Sequence, residues 1–193
     1  MTSLVYRNPR IYRGILRWLY GDDLARRERL VARLVPRGAR VVDVACGDAG
    51  IARRLRGVAY EGVDVSPIFV EALARRGLPA HRLDVTRDDP PTGDVVLMLG
   101  ALYQFLPDAG PVLLRLRRAA RLHVVIAEPY RNLAQSRNRL VAALARRATD
   151  PGVASSTARF DAASLRALLA SQGARELVDT GRELIATLPG LAS

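Results

Sequence analysis

Apolar runs and amphipathic stretches alternate along the chain from residue 40 onward. Short runs rich in β-branched residues, bounded by glycine, proline or polar residues, predict buried strands. They lie at residues 41–45, 59–65, 79–85, 94–102 and 122–129, with a pair of strands joined near Gly181 within 174–188. Helical periodicity is found at residues 51–56, 68–77, 112–120 and 161–172, and a helical pair is predicted at 4–35.

The order of these elements predicts an α/β fold. Strands that alternate with helices and are apolar on both faces are typical of a mostly parallel sheet with helices on both faces. The last two predicted strands are separated by a turn and not by a helix, so they must pair antiparallel. We therefore predict a seven-stranded, mostly parallel sheet with an antiparallel last strand.

Length and charge restrict the function less than the pattern does. The chain has 193 residues and a net charge of +11, which could attract nucleic acid. Every basic residue is arginine, however, which indicates a compositional bias, and residues 41–100 hold nine acidic residues against seven arginines. Nucleic acid is therefore not the favoured partner. Without an apolar signal core or a sufficiently long apolar stretch, the expected location is cytoplasmic.

The sequence VVDVACGDAG at residues 41–50 predicts a ligand-binding loop after the first strand. Its Ala45-x-Gly47-x-x-Gly50 spacing resembles a dinucleotide fingerprint, and Asp64 lies where an acid would bind ribose hydroxyls. Asp43 and Asp48 would repel a pyrophosphate, by roughly 4 kcal/mol for charges about 4 Å apart at an effective dielectric near 20. S-adenosylmethionine carries adenosine, an ammonium and a sulfonium but no phosphate, so the acidic loop favours this cofactor.

Residues 40–188 resemble class I S-adenosylmethionine-dependent methyltransferases. VVDVACGDAG resembles the first motif of that family, YEGVDVSPIFVEAL the second and HRLDVT the third. DVVLMLGALYQFLPD resembles the fourth strand and the helix after it, and VVIAEP resembles the fifth strand. The family's Gly-x-Gly-x-Gly is Ala45-x-Gly47-x-Ala49 here. The resemblance implies a Rossmann-like fold and methyl transfer from S-adenosylmethionine.

The resemblance also implies roles for individual residues. Asp43 and Gly47 would hold the methionine end of the cofactor, Asp64 its ribose, and Asp84 its adenine amino group. The expected cofactor site comprises Asp43, Ala45, Gly47, Asp48, Asp64, Val65, Asp84, Val85, Leu99 and Gly100. Some of these acids have a structural alternative: Asp48 could cap the helix predicted after it, and Asp43 could cap amides of its own loop.

The methyl acceptor should be met after the fourth and fifth strands. Glu128 is the candidate general base, although Glu-Pro could simply end the strand, and Tyr103 is the second candidate catalytic residue. Tyr12, Gln104 and Tyr130 are the expected substrate contacts. LGALYQF lacks the Asn/Asp-Pro-Pro-aromatic motif of enzymes that methylate planar amino groups, and no zinc or magnesium ligand set is apparent. The remaining hypothesis is a small-molecule acceptor, lipid-like or a natural product, that is methylated at oxygen, nitrogen or carbon.

We predict a single domain over residues 1–193. An N-terminal helical lid at 1–38 precedes a cofactor-binding core at 39–129, a substrate-cap insertion at 130–159, and a C-terminal helix and hairpin at 160–193. The basic, amphipathic N-terminal helix could also contact anionic lipid at a membrane surface. An RNA methyltransferase and a non-catalytic S-adenosylmethionine-binding module are the alternatives, and the oligomeric state is not predicted.

Overall fold

The computed structural model describes residues 9–131 and 158–193, and for residues 9–20 other than Gly14 it describes the backbone only. Helix α1 spans Pro9–Arg33 and is interrupted at Gly21, whose φ of 40° and ψ of −118° are not helical. Glycine adopts this positive φ without the penalty that a Cβ would bring. The helical pair predicted at residues 4–35 is therefore two helical parts that meet at Gly21.

The described residues form one seven-stranded sheet in the order β3-β2-β1-β4-β5-β7-β6. Its strands are β1 (Arg40–Val44), β2 (Ala59–Asp64), β3 (Ala80–Arg82), β4 (Gly93–Leu99), β5 (Ala120–Pro129), β6 (Glu176–Asp179) and β7 (Glu183–Pro189). The first five strands pair parallel, and β7 pairs antiparallel with both β5 and β6. The predicted fold class, including the reversed last strand, is confirmed.

Three further helices lie within the described residues: α2 (Pro67–Ala74), α3 (Gly110–Ala119) and α4 (Ala162–Ser171). Short 3₁₀ turns occupy Gly50–Arg53 and Leu102–Phe105. Helix α4 begins with a capping box, in which Asp161 Oδ1 accepts the Ser164 N–H at 2.7 Å and Ser164 Oγ accepts the Asp161 N–H at 3.1 Å. The start predicted for this helix at Asp161 is thus confirmed.

Two predicted elements are shorter than expected. The helix predicted at residues 51–56 is the single 3₁₀ turn Gly50–Arg53, because a segment this short between two glycines cannot repay the cost of helix nucleation. The strand predicted at 79–85 ends at Arg82. Asp84 Oδ1 accepts the backbone N–H of Thr86 at 3.0 Å, and this local bond turns the chain away from the sheet.

The two faces of the sheet carry different helices, because side chains alternate along each strand. Val42, Val96 and Ile126 belong to the cluster that includes the buried side chains of α3 and α4. Val41 and Leu97 pack with Val31 of α1 on the opposite face. This alternation places Asp43 on the α1 face of β1 and Glu128 on the α3–α4 face of β5.

The close approach of the chain to Ala120 after β7 can be tested. A Cβ on Gly190 would lie 2.2 Å from the carbonyl oxygen of Ala120, which is backbone and cannot move aside. We expect Gly190→Ala to lower the free energy of unfolding by about 1–3 kcal/mol, as overpacking does. Leu191→Ala, at a half-exposed neighbour, is the control and should change it by less than about 0.5 kcal/mol. Equal urea unfolding curves for Gly190→Ala and wild type would contradict this packing.

Candidate cofactor site

A cavity of about 550 Å³ lies between the second half of α1 and the carboxyl ends of β1 and β4. This volume is in the range of roughly 300–1,000 Å³ that is typical of small-molecule sites. Of the residues predicted from the sequence, the ones that line it are Asp43, Ala45, Gly47, Asp48 and Leu99. Helix α1 contributes Leu24, Ala25, Arg27 and Glu28. The structure therefore brings together the residues expected at the methionine end of the cofactor.

The loop after β1 has an unusual backbone. Ala45, Gly47 and Ala49 have φ values of 55°, 51° and 50°, all in the left-handed region. Glycine is the preferred residue there, and for alanine this conformation costs roughly 1–2 kcal/mol. The two departures from Gly-x-Gly-x-Gly thus stand at strained positions. The 3₁₀ turn that follows has Ala49 at its N-cap position, and the alternative role of Asp48 as a cap stays a prediction.

Asp43 is buried at the inner end of the cavity. Its Oδ2 accepts a hydrogen bond from the Tyr60 hydroxyl at 2.7 Å. Burial raises the pKa of Asp43 to about 7, against the lowering effect of the Tyr60 hydrogen bond, and the nearby carboxylates Asp64 and Asp48 raise it further. Asp43 is therefore partly protonated at neutral pH and gains from any cation that enters the cavity.

Asp64 connects the loop to the end of β2. Its Oδ2 accepts the Gly47 N–H at 2.9 Å and its Oδ1 accepts the Ser66 N–H at 2.8 Å. Burial raises the pKa of Asp64, and these two hydrogen bonds oppose the shift. Each carboxylate oxygen has two acceptor sites, so Asp64 retains capacity for ribose hydroxyls. Val65, the next predicted residue, is half-buried, and its carbonyl accepts from Arg82 Nε at 3.2 Å.

Asp84 and Val85 follow β3, beside the end of β2, and do not line the cavity. Asp84 Oδ1 accepts the Thr86 hydroxyl at 2.7 Å, which lowers the pKa of Asp84, and Asp84 Oδ2 lies 3.7 Å from Arg87 Nε. Val85 is buried. The side chain of Asp84 thus has a structural role in this turn, and its role at the adenine stays a prediction.

Glu128 and Tyr103 lie on the other face of the sheet from Asp43. Glu128 is fully buried, its Oε2 accepts the Leu102 N–H at 2.9 Å, and its Oε1 has no hydrogen-bond partner among the described residues. Burial raises the pKa of Glu128 to about 8. Tyr103 is buried in the same 3₁₀ turn as Gln104, and the Arg159 guanidinium lies 4.0 Å from the centre of its ring.

The predicted substrate contacts Tyr130 and Tyr12 stay predictions. The Tyr130 hydroxyl donates to Asp179 Oδ1 at 2.7 Å, which ties it to the end of β6. Tyr12 lies in the part of α1 for which only the backbone is described. Most of the predicted cap at residues 130–159 lies outside the described residues.

Sequence reasoning missed Arg27, which reaches the site from α1. It lines the cavity, and its Nη1 lies 3.7 Å from Glu183 Oε2 at the start of β7. The sequence carried a usable signal, because Arg27 stands four residues before the apolar Val31, and such residues share a helix face. Glu28 was missed as well; it lines the same cavity, with Oε2 3.3 Å from Arg54 Nε.

Within residues 9–131 and 158–193, no three His, Cys, Asp or Glu side chains are grouped closely enough to hold a metal ion. Over the same part of the chain, no helix combines the length and the apolar character that crossing a bilayer requires.

Comparison with known proteins identifies relatives of the chain. Residues 26–148 match the model of the family described as "Methionine biosynthesis protein MetW". Trans-aconitate 2-methyltransferase of Mycobacterium tuberculosis (strain H37Ra) is 38% identical over 92 residues, which are 45% of this chain and 35% of that protein. The chain therefore spans about a third of the length of the curated relatives it matches.

Solved structures share the fold at low sequence identity. A chain from the complex of the Haloferax volcanii Trm112 methyltransferase activator with a methyltransferase has a TM-score of 0.69 and 15% identity, covering 99% of this chain and 100% of its own. Magnesium protoporphyrin IX methyltransferase from Synechocystis PCC 6803, with bound S-adenosylhomocysteine, has a TM-score of 0.57 and 16% identity, covering 95% and 83%. The resemblance to class I methyltransferases is confirmed at the level of the fold.

The buried acids make the stability of the free protein depend on pH. In the folded state, burial raises the pKa of Asp43 from an ordinary value of 3.8 to about 7. The folded protein therefore holds the Asp43 proton over a pH range in which the unfolded chain has lost it, and the free energy of unfolding falls as pH rises between these two values. We expect Asp43→Asn, which stays neutral, to reduce this loss between pH 4.5 and pH 8. The measurement is urea unfolding at both pH values.

Asp88→Asn is the matched control, because Asp88 is exposed and does not line the cavity. The same fall in stability in wild type and Asp43→Asn would contradict the assignment of the buried proton to Asp43.

Proposed function

The chain belongs to the family described as methionine biosynthesis protein MetW, and we propose that it is an S-adenosylmethionine-dependent methyltransferase with a small-molecule acceptor. One observation carries the proposal: buried or partly buried carboxylates converge on a loop of left-handed residues beside a cavity of cofactor size. Such a site disfavours a pyrophosphate and favours a cofactor with cationic groups. The trans-aconitate enzyme among the relatives acts on a small molecule, which supports the acceptor class.

The residues fit this cofactor from one end to the other. Asp43 and Asp48 attract its cationic groups, and the backbone of Gly47 and Leu99 lines the methionine end. Asp64 accepts ribose hydroxyls while holding the loop through the Gly47 N–H. Val85 and Asp84 would hold the adenine. Helix α1 forms the outer wall of the cavity through Leu24 and Ala25, and this is the basis for assigning it as a lid.

Bound S-adenosylmethionine supplies an electrophilic methyl group, and the protein has to place the acceptor in line with it. Correct placement and exclusion of water contribute most of the rate for an acceptor that is already nucleophilic. Glu128 holds the turn after β4 through the Leu102 N–H. Its second oxygen has no hydrogen-bond partner among the described residues, and in the ionised form of Glu128 it would take a proton from an oxygen or nitrogen acceptor. Tyr103 and Gln104 form the wall of this acceptor side.

Calorimetric titration with S-adenosylhomocysteine tests the cofactor assignment, with NAD as the comparison ligand. We expect saturable binding of S-adenosylhomocysteine and none of NAD. Asp64→Asn should weaken binding by about tenfold or more, because hydrogen bonds to a charged group contribute roughly 1.5–3 kcal/mol.

Asp88→Asn is again the matched control, and a thermal melt of each variant confirms that it is folded. Binding of NAD, or of neither ligand, by the folded wild type would overturn the proposal. Unchanged affinity in Asp64→Asn would overturn the assignment of Asp64.

Affinity for S-adenosylmethionine should also depend on pH. The pKa of Asp43 is about 7 in the free protein, so Asp43 is mostly protonated at pH 6 and mostly ionised at pH 8. The ionised form attracts the sulfonium, which is charged at both values. We expect tighter binding at pH 8 than at pH 6, and a smaller difference in Asp43→Asn. An equal or larger pH effect in that variant would count against the role of Asp43.

A further inference from the structure

Among the described side chains of α1, Arg27 is the arginine that lines the cavity. Its side chain is 18% exposed, and its buried Nε has no hydrogen-bond partner among the described residues. Buried guanidinium N–H groups are normally paired, because an unpaired one loses its hydration without compensation. The position of Arg27 therefore indicates a ligand group that the described residues do not supply.

The acids around Arg27 compensate its charge incompletely. Glu183 Oε2 lies 3.7 Å from Nη1, which is an ion-pair distance but too long for a hydrogen bond. Asp43 and Glu128 also lie within electrostatic range of Arg27. Burial raises the pKa of Asp43 to about 7 and that of Glu128 to about 8, so both acids are neutral for much of the time at neutral pH. An anionic group arriving beside Arg27 would complete the pairing.

The backbone beside the Arg27 guanidinium leaves room for it, because the neighbouring residue is a glycine. Gly100 has a φ of 72°, and a Cβ at this position would lie 3.2 Å from Arg27 Nη1. The guanidinium thus rests against a residue without a side chain, directly after Leu99, which lines the cavity. Arg27 therefore meets the cavity at the end of β4, on the same face of the sheet as Asp43.

We propose that Arg27 binds the α-carboxylate of the methionine moiety of the cofactor. The inference rests on the proposed function and adds the residue that recognises the amino-acid end. That end is zwitterionic, so it needs an acid for the ammonium and a base for the carboxylate, and the cavity offers Asp43 and Arg27 on one wall. A planar guanidinium pairs with a carboxylate through two parallel hydrogen bonds, which adds orientation to affinity.

The test compares two probes that differ by one group. S-adenosylhomocysteine carries both the amine and the carboxylate, whereas 5′-deoxy-5′-(3-aminopropylthio)adenosine retains the amine and lacks the carboxylate. Calorimetry is run with both probes on wild type, Arg27→Gln and Arg27→Lys. Arg26→Gln is the matched control, because the neighbouring Arg26 is exposed and does not line the cavity.

The expected result is selective. Wild type and Arg26→Gln should bind S-adenosylhomocysteine about tenfold or more tightly than the decarboxylated probe. Arg27→Gln should lose most of this preference by weakening the first probe alone, and Arg27→Lys should retain part of it. Thermal melts separate a loss of folding from a loss of recognition.

Other outcomes overturn the inference. Equal affinity of wild type for the two probes, or equal weakening of both in Arg27→Gln, would show that Arg27 lines the cavity without binding the carboxylate. A preference that is unchanged in Arg27→Gln would assign the carboxylate to another group. Binding of neither probe by folded wild type would instead overturn the proposed function, so the two failures are distinguishable.

Discussion

Burial of carboxylates at the carboxyl edge of the sheet is the constraint on which this site depends. Asp43, Asp64 and Glu128 end or nearly end β1, β2 and β5, and all three are almost inaccessible. Each is partly compensated by a specific donor: the Tyr60 hydroxyl, the backbone N–H groups of Gly47 and Ser66, and the Leu102 N–H. These bonds stabilise the acids and also fix the loops that follow β1, β2 and β4.

These donors do not fully compensate the burial of the carboxylates, and the uncompensated cost is consistent with ligand binding. Burial raises the pKa of all three acids despite their donors. The left-handed Ala45 and Ala49 add backbone strain beside the same cavity. Strain and desolvated charge at one place cost stability and persist when a function requires them. In the proposed function, a cationic cofactor recovers part of this cost when it binds.

The two faces of the sheet carry different parts of the proposed site. The α1 face carries Asp43, the cavity and Arg27, whereas the α3–α4 face carries Glu128 beneath the turn that holds Tyr103. The loops after β1 and β4 run over the shared edge between them. In the proposed function, cofactor binding and acceptor positioning are thus connected through the backbone near Leu99 to Leu102, and they do not compete for the same side chains.

The sequence by itself determined the fold class, the order of strands and helices, the reversed last strand and the loop with its acids. These follow from local periodicity, turn residues and near-neighbour charge, which act over a few residues. Tertiary structure alone decided that Asp43 and Glu128 lie on opposite faces and that Tyr130 is tied to Asp179. It also decided that Arg27, among the many arginines of this chain, reaches the cavity. Such contacts join residues distant in sequence, and their geometry depends on how helices pack on the sheet.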